Sequence, residues 1–93
     1  MDNLEAIVEL GSYSENLLID PNFQFISAYF EQQAVQEILS TQPQETKKRE
    51  YLYAKVQAHR EFLTQLAEFV KEKNKALEPQ IDQEDFDLPV DPN

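Results

Sequence analysis

Hydrophobic positions recur at helical spacing along most of this chain, and most regularly between Gln44 and Leu77. There they follow alternating steps of three and four residues, which is the a/d seam of a helix packed lengthwise against another helix. No glycine or proline interrupts that run, and Pro43 suits the first turn of a helix. The pattern therefore predicts one long helix over about residues 43–77. Its seam consists of Leu52, Val56, His59, Leu63, Leu66 and Val70, and Tyr51, Ala58, Phe62 and Phe69 widen the apolar face beside it.

A second helix is predicted over about residues 20–40. Asp20 is a suitable N-cap, and Pro21 occupies the first helical position, where its missing N–H is tolerated. Apolar residues lie on two sides of this helix, which predicts burial on both sides. One side would meet the long helix, and the other would meet the N-terminal segment or another chain. The first side carries Phe23, Ile26, Phe30, Ala34 and Ile38; the second carries Phe25, Ala28, Tyr29, Val35 and Leu39.

The break between these helices is short, with Thr41 or Gln42 as the expected N-cap of the long helix. So short a connection predicts an antiparallel helical hairpin. The residues expected to pack its core or an oligomer interface come from both helices. They are Phe25, Tyr29, Val35, Leu39, Leu52, Val56, Leu63, Leu66 and Val70.

The N-terminal segment is predicted to form a short helix over about residues 2–10, capped by Asp2 or Asn3. Gly11, the only glycine in the chain, stands where a helix commonly ends in a left-handed conformation. Residues 12–19 would then be a connector. Because the connector contains three consecutive apolar residues, 17–19, we expect the segment from Leu4 to Ile19 to cover the far end of the long helix.

The last sixteen residues have a different composition. Residues 78–93 contain six acidic residues, three prolines and few apolar side chains, which predicts an acidic extended tail. Such a segment either keeps the protein in solution or orders on a partner. Residues 1–77 would form the helical hairpin domain and 78–93 the tail. The candidate partner-binding residues of the tail are Ile81, Phe86, Leu88 and Val90.

Composition narrows the class of protein. The chain has 93 residues, one glycine and no cysteine, so a sheet, a disulfide framework and a thiolate metal site are not expected. The net charge is −10, but all eight basic residues lie between Lys47 and Lys75, where four acidic residues accompany them. No basic and apolar leader and no long apolar run is present, so we expect a soluble protein without membrane contact.

Candidate chemistry is sparse. His59 is the only histidine, and no Glu-x-x-His pair accompanies it, so no catalytic residue, cofactor or metal is predicted. Lys47, Lys48 and Arg49 form a short basic run. Acidic residues are interleaved with the other basic residues of the long helix, at distances that suit intrahelical ion pairs. Direct nucleic-acid binding is therefore expected only if a ring aligns this run from many copies.

The order of these features resembles a group of small helical-hairpin proteins of tailed bacteriophages, encoded among structural and assembly genes. The resemblance covers roughly residues 16–70. Its motifs are Leu17-Leu18, Asp20-Pro21-Asn22-Phe23, the polar break at 41–45, Arg49-Glu50-Tyr51-Leu52-Tyr53, and the apolar residues near the end of the second helix of the pattern, Phe62-Leu63 and Leu66. What the resemblance implies is a non-enzymatic virion or assembly protein that works through contacts with other phage proteins. The same resemblance implies a location in the virion or in the host cytoplasm.

Three functions follow from these patterns as hypotheses. The first is an oligomeric adaptor, a helical hairpin that docks on a protein partner through its C-terminal tail. The second is the small subunit of a DNA-packaging terminase, which the hairpin and the tail resemble in architecture. The chain lacks a recognisable helix-turn-helix at its N-terminus, which argues against DNA recognition. The third is an acidic inhibitor of a host nucleic-acid enzyme, in which carboxylates imitate phosphates.

Overall fold

The computed structural model describes residues 2–78, and these form three helices and no strand. Helix α1 spans Asn3–Ile19, α2 spans Pro21–Leu39 and α3 spans Thr46–Ala76. The predicted all-α class is confirmed. The predicted tail and its partner-binding residues, Ile81, Phe86, Leu88 and Val90, lie outside the described residues. Judged by length and hydropathy, none of the helices within residues 2–78 could span a membrane.

Helix α1 is longer than the sequence predicts. Asp2 caps it, and its carboxylate accepts a hydrogen bond of 2.8 Å from the Glu5 backbone N–H. The helix then continues through Gly11 to Ile19, so the predicted end at Gly11 and the connector over 12–19 are wrong. Gly11 is buried because α3 passes directly over it. A Cβ on Gly11 would lie 2.7 Å from the Phe69 carbonyl oxygen and 2.3 Å from the Lys73 Cβ.

A single residue, Asp20, separates α1 from α2. Its backbone is extended, with φ −72° and ψ 120°, as expected for a residue that precedes a proline. Its N–H donates to the Leu17 carbonyl oxygen at 3.2 Å and so closes α1. Its carboxylate accepts from the Asn22 N–H at 2.8 Å and so caps α2. The predicted start of the second helix is confirmed.

The turn between α2 and α3 is held by Arg49. Its guanidinium donates to the Thr41 hydroxyl at 2.9 Å and to the Gln42 carbonyl oxygen at 3.0 Å. The predicted start of the long helix at residue 43 is wrong, because residues 42–45 form the turn and α3 begins at Thr46. The predicted cap at Thr41 or Gln42 is also wrong. Glu45 is the N-cap residue, and its carboxylate accepts from the Gln42 N–H at 2.7 Å.

Helix α3 is the element on which the other two pack. Helix α1 packs along its C-terminal half, and α2 packs along its N-terminal half, where Ser27 meets His59 and Thr41 meets Arg49. The core is small because only two layers of helix face each other. Among the described residues, the buried apolar side chains are Ala34, Leu52, Val56 and Leu66, and the small residues Gly11 and Ser14 are buried with them.

Candidate protein-interaction surfaces

The predicted packing residues divide into two groups in the structure. Those of α3 form the seam: Leu52, Val56 and Leu66 are buried, and Leu63 and Val70 are half-buried. The four from α2 are exposed and leave an apolar surface, which we call the α2 outer face. Its members and their exposed fractions are Phe25 at 72%, Tyr29 at 55%, Val35 at 38% and Leu39 at 79%.

The aromatic residues of the α2 outer face pack against each other. Phe25 and Tyr29 are one helical turn apart, and their rings are stacked with centroids 6.4 Å apart and planes inclined at 22°. Aromatic pairs in this arrangement attract each other beyond what the burial of their area contributes. Exposed apolar patches such as this face commonly mark contacts between proteins.

A second apolar surface is a groove between α2 and α3, which we call the α2–α3 groove. It encloses about 400 Å³ and is lined almost wholly by apolar atoms. The sequence places Ile26 and Phe30 on the buried side of α2, but they line this open groove and are 64% and 39% exposed. The complete lining is Phe23, Ile26, Ser27, Phe30, Lys55, Ala58, His59 and Phe62.

One cation lies at the rim of the groove. The Lys55 ammonium is 5.5 Å from the centroid of the Phe30 ring and 5.9 Å from that of Tyr51. Both distances are within the range of a cation–π interaction. Lys55 therefore ties the two helices together and places a positive charge beside an apolar floor.

The sequence gives no direct signal for the polar cluster that lies beneath this groove. The Ser27 hydroxyl and the His59 Nε2 are 2.7 Å apart, and the His59 Nδ1 lies 3.4 Å from a Glu31 carboxylate oxygen. Arg60 donates to the other oxygen of Glu31, from Nε at 2.8 Å and also from a terminal nitrogen. These hydrogen bonds from Arg60 hold the pKa of Glu31 below its ordinary value near 4.5. They also raise the pKa of the Arg60 guanidinium.

The order of Ser27, His59 and Glu31 is that of a serine–histidine–acid triad, but within residues 2–78 the backbone beside Ser27 does not supply a second requirement of acyl transfer. That chemistry needs N–H donors aimed at the developing oxyanion. Ser27 lies inside α2, where the backbone N–H groups bond to carbonyl oxygens one turn earlier. Arg60 also neutralises the carboxylate that would orient the imidazole. We therefore interpret the cluster as the polar contact between α2 and α3.

The basic run at the start of α3 is not one continuous surface. Lys47 and Lys48 are exposed, but Arg49 is half-buried and bonded to the turn after α2. Only two of the three predicted cations are available to a ligand. Within residues 2–78, no cluster of three or more histidine or acidic side chains is arranged to hold a metal ion.

Comparison with protein-family models, with curated proteins and with solved structures found no match to this chain.

Proposed function

We propose that this protein is a non-enzymatic, self-associating helical scaffold that acts in the assembly of a tailed bacteriophage. The observation that carries the proposal is the α2 outer face. A chain with four buried apolar side chains among its described residues leaves Phe25 and Leu39 more than 70% exposed on one helix. Burial of apolar area is the main favourable term in protein association, so a second copy that covers this face stabilises the assembly.

The architecture supports this proposal. We propose that α2 and α3 act as an antiparallel hairpin, with α1 as the cover for the part of α3 that α2 does not reach. Because the seam of α3 is occupied by α1 and α2, the outer face of α2 is directed away from the hairpin's own core. Closed symmetric homo-oligomers are the commonest solution for such a surface.

The role in phage assembly rests on the resemblance of residues 16–70 to small phage hairpin proteins. In this role the scaffold docks on another phage protein through Ile81, Phe86, Leu88 and Val90, with the flanking carboxylates speeding the encounter. The packaging-motor alternative draws less support, since Arg49 is committed to the turn and the exposed basic run is reduced to Lys47 and Lys48.

The self-association is tested by placing charge on the outer face. We expect Tyr29→Glu combined with Leu39→Glu to convert the oligomer to a monomer in sedimentation velocity, with helicity unchanged in circular dichroism. The matched control is Leu4→Glu with Tyr13→Glu, which makes the same chemical change at exposed positions of α1. If the control dissociates the oligomer and the α2 variant does not, the outer face is not the interface.

The assembly role is tested separately, by capture of partners from phage-infected cells. Full-length protein should retain a phage structural or packaging protein through the tail. Phe86→Ala with Leu88→Ala should lose it without any change in charge. Equal capture by both proteins would exclude the tail as the docking element and leave the self-association unaffected.

A further inference from the structure

We infer that the α2–α3 groove is the binding site of this chain's own apolar strip, residues 86–90, and that a partner must compete with the groove for that strip. This inference goes beyond the proposed function, because it concerns the opposite side of α2 from the outer face. It rests on the groove's lining, on the length of chain that follows α3, and on the spacing of apolar residues in that length.

The groove is a suitable size and character for apolar side chains. Its volume of about 400 Å³ lies within the range of about 300–1,000 Å³ typical of ligand pockets. Ile26 and Phe30 form one wall, and Ala58 and Phe62 form the other. Each pair is four residues apart on a helix, so successive side chains along each wall are about 6 Å apart.

The apolar side chains of the strip have a spacing close to that of the groove walls. Phe86, Leu88 and Val90 alternate with Asp87 and Pro89 in the sequence. In an extended chain, alternate residues point to one side and lie about 6.6 Å apart. Three apolar side chains in this arrangement match the roughly 6 Å step of the groove walls, and the intervening residues face solvent.

The length of chain between α3 and the strip also matches the distance from the end of α3 back to the groove. The groove walls on α3 run from Phe62 to Lys55, which are 16 and 23 residues before Glu78. At about 1.5 Å per helical residue, they lie about 24 Å and about 35 Å back from Glu78. An extended chain at about 3.3 Å per residue covers about 26 Å to Phe86 and about 40 Å to Val90. The strip therefore reaches the groove in register, if the chain turns back after α3.

Sequence and charge favour that path. Pro79 follows Glu78 directly, and proline disfavours helical geometry in the residue before it. At the far end of the groove Lys55 stands at the rim, level with the end of the strip, where Asp91 follows Val90. A carboxylate beside this ammonium fixes the direction of the strip along the groove.

The chain's lack of cysteine allows a direct test on the full-length protein. Ala58→Cys places a thiol in the groove, and Leu88→Cys places one in the strip. Ala28→Cys is the matched control, because Ala28 is an exposed residue of α2 that does not line the groove. The two proteins compared carry two cysteines each: Ala58→Cys with Leu88→Cys (the 58/88 pair) and Ala28→Cys with Leu88→Cys (the 28/88 pair). Under a mild oxidant we expect the 58/88 pair to form an intrachain disulfide about tenfold faster, since binding in the groove raises the effective concentration of the strip beside residue 58.

A further variant tests the apolar contacts themselves. Phe86→Ala with Val90→Ala in the 58/88 protein should lower the rate to that of the control without changing charge. Circular dichroism verifies that every variant keeps its helices. Equal rates for the two pairs would overturn the inference. The inference would also be overturned if the single variant Ala58→Cys formed disulfide-linked dimers faster than the 58/88 protein forms its intrachain bond. In that case a second copy would occupy the groove. Neither outcome bears on the outer face, which is tested by its own variants.

Discussion

Substitution of Gly11 by alanine should destabilise the protein, although the same change stabilises an isolated helix. Alanine is better than glycine inside a helix by about 1 kcal/mol. At position 11, however, the new Cβ would lie 2.3 Å from the Lys73 Cβ and 2.7 Å from the Phe69 carbonyl oxygen. Neither neighbour is the free end of a flexible side chain, so the contact is relieved only if α1 moves away from α3.

The magnitude follows from the size of that movement. Carbon atoms pack at about 3.5–4.0 Å, so the helices must separate by about 1 Å, which removes roughly a quarter to a half of the dispersion attraction across the contact. Overpacking of this kind costs about 1–3 kcal/mol. Once the gain in helix propensity is subtracted, we expect a net loss in the free energy of unfolding of up to about 2 kcal/mol. For a domain of this size, that is a fall in Tm of up to about 15 °C.

Thermal unfolding followed by circular dichroism measures this effect, at equal protein concentration because association raises the apparent stability. Asn16→Ala is the matched control, since Asn16 is an exposed residue of the same helix and the change adds no contact. It should leave Tm unchanged or raise it slightly. If Gly11→Ala also raises Tm, the close packing of α1 on α3 is refuted.

Three further predictions concern the seam and its polar cluster. Leu66→Ala should lower the free energy of unfolding by about 2–5 kcal/mol, because Leu66 is only 6% exposed. Leu63→Ala should lower it less, because Leu63 is half-buried, and urea unfolding of the two variants measures the difference. His59→Leu removes the hydrogen-bond partner of the Ser27 hydroxyl on α3, so it should lower the free energy of unfolding by about 1–3 kcal/mol in urea unfolding; an unchanged free energy would contradict a polar contact that holds α2 to α3. The folded-state pKa of Glu31 is below the unfolded one, so its ion pair with Arg60 stabilises the fold above about pH 4.5 and the effect is lost as pH falls further. Glu31→Gln should therefore reduce the difference in Tm between pH 7 and pH 3, and an unchanged difference would contradict the assignment.

Local chemistry made some elements predictable from the sequence. Asp20 and Pro21 determine the start of α2 through a side-chain cap and a fixed φ angle, and neither depends on the rest of the fold. The regular spacing of Leu52, Val56 and Leu66 likewise indicates a helix with one buried face, and all three are buried.

Contacts between distant residues made other features unpredictable. A glycine that ends a helix and one that lets two helices approach are the same residue in the sequence; Gly11 is the second kind because Phe69 and Lys73 lie over it. The rotation of α2 is a similar case. Its half-buried line includes Ser27 and Glu31, which turns Ile26 and Phe30 outward into the groove. Polar residues are acceptable in that line only because His59 and Arg60, about 30 residues away, bond to them.

If the α2 outer face joins copies of this chain, the molar mass of the protein in solution must exceed that of one chain. Light scattering on the eluting peak of a size-exclusion column, at micromolar concentration, should give a whole-number multiple of the 10.9 kDa chain mass. The mass should fall towards the monomer in the Tyr29→Glu, Leu39→Glu protein. A strict 10.9 kDa monomer for the unaltered chain at these concentrations would show that the outer face does not join copies of it.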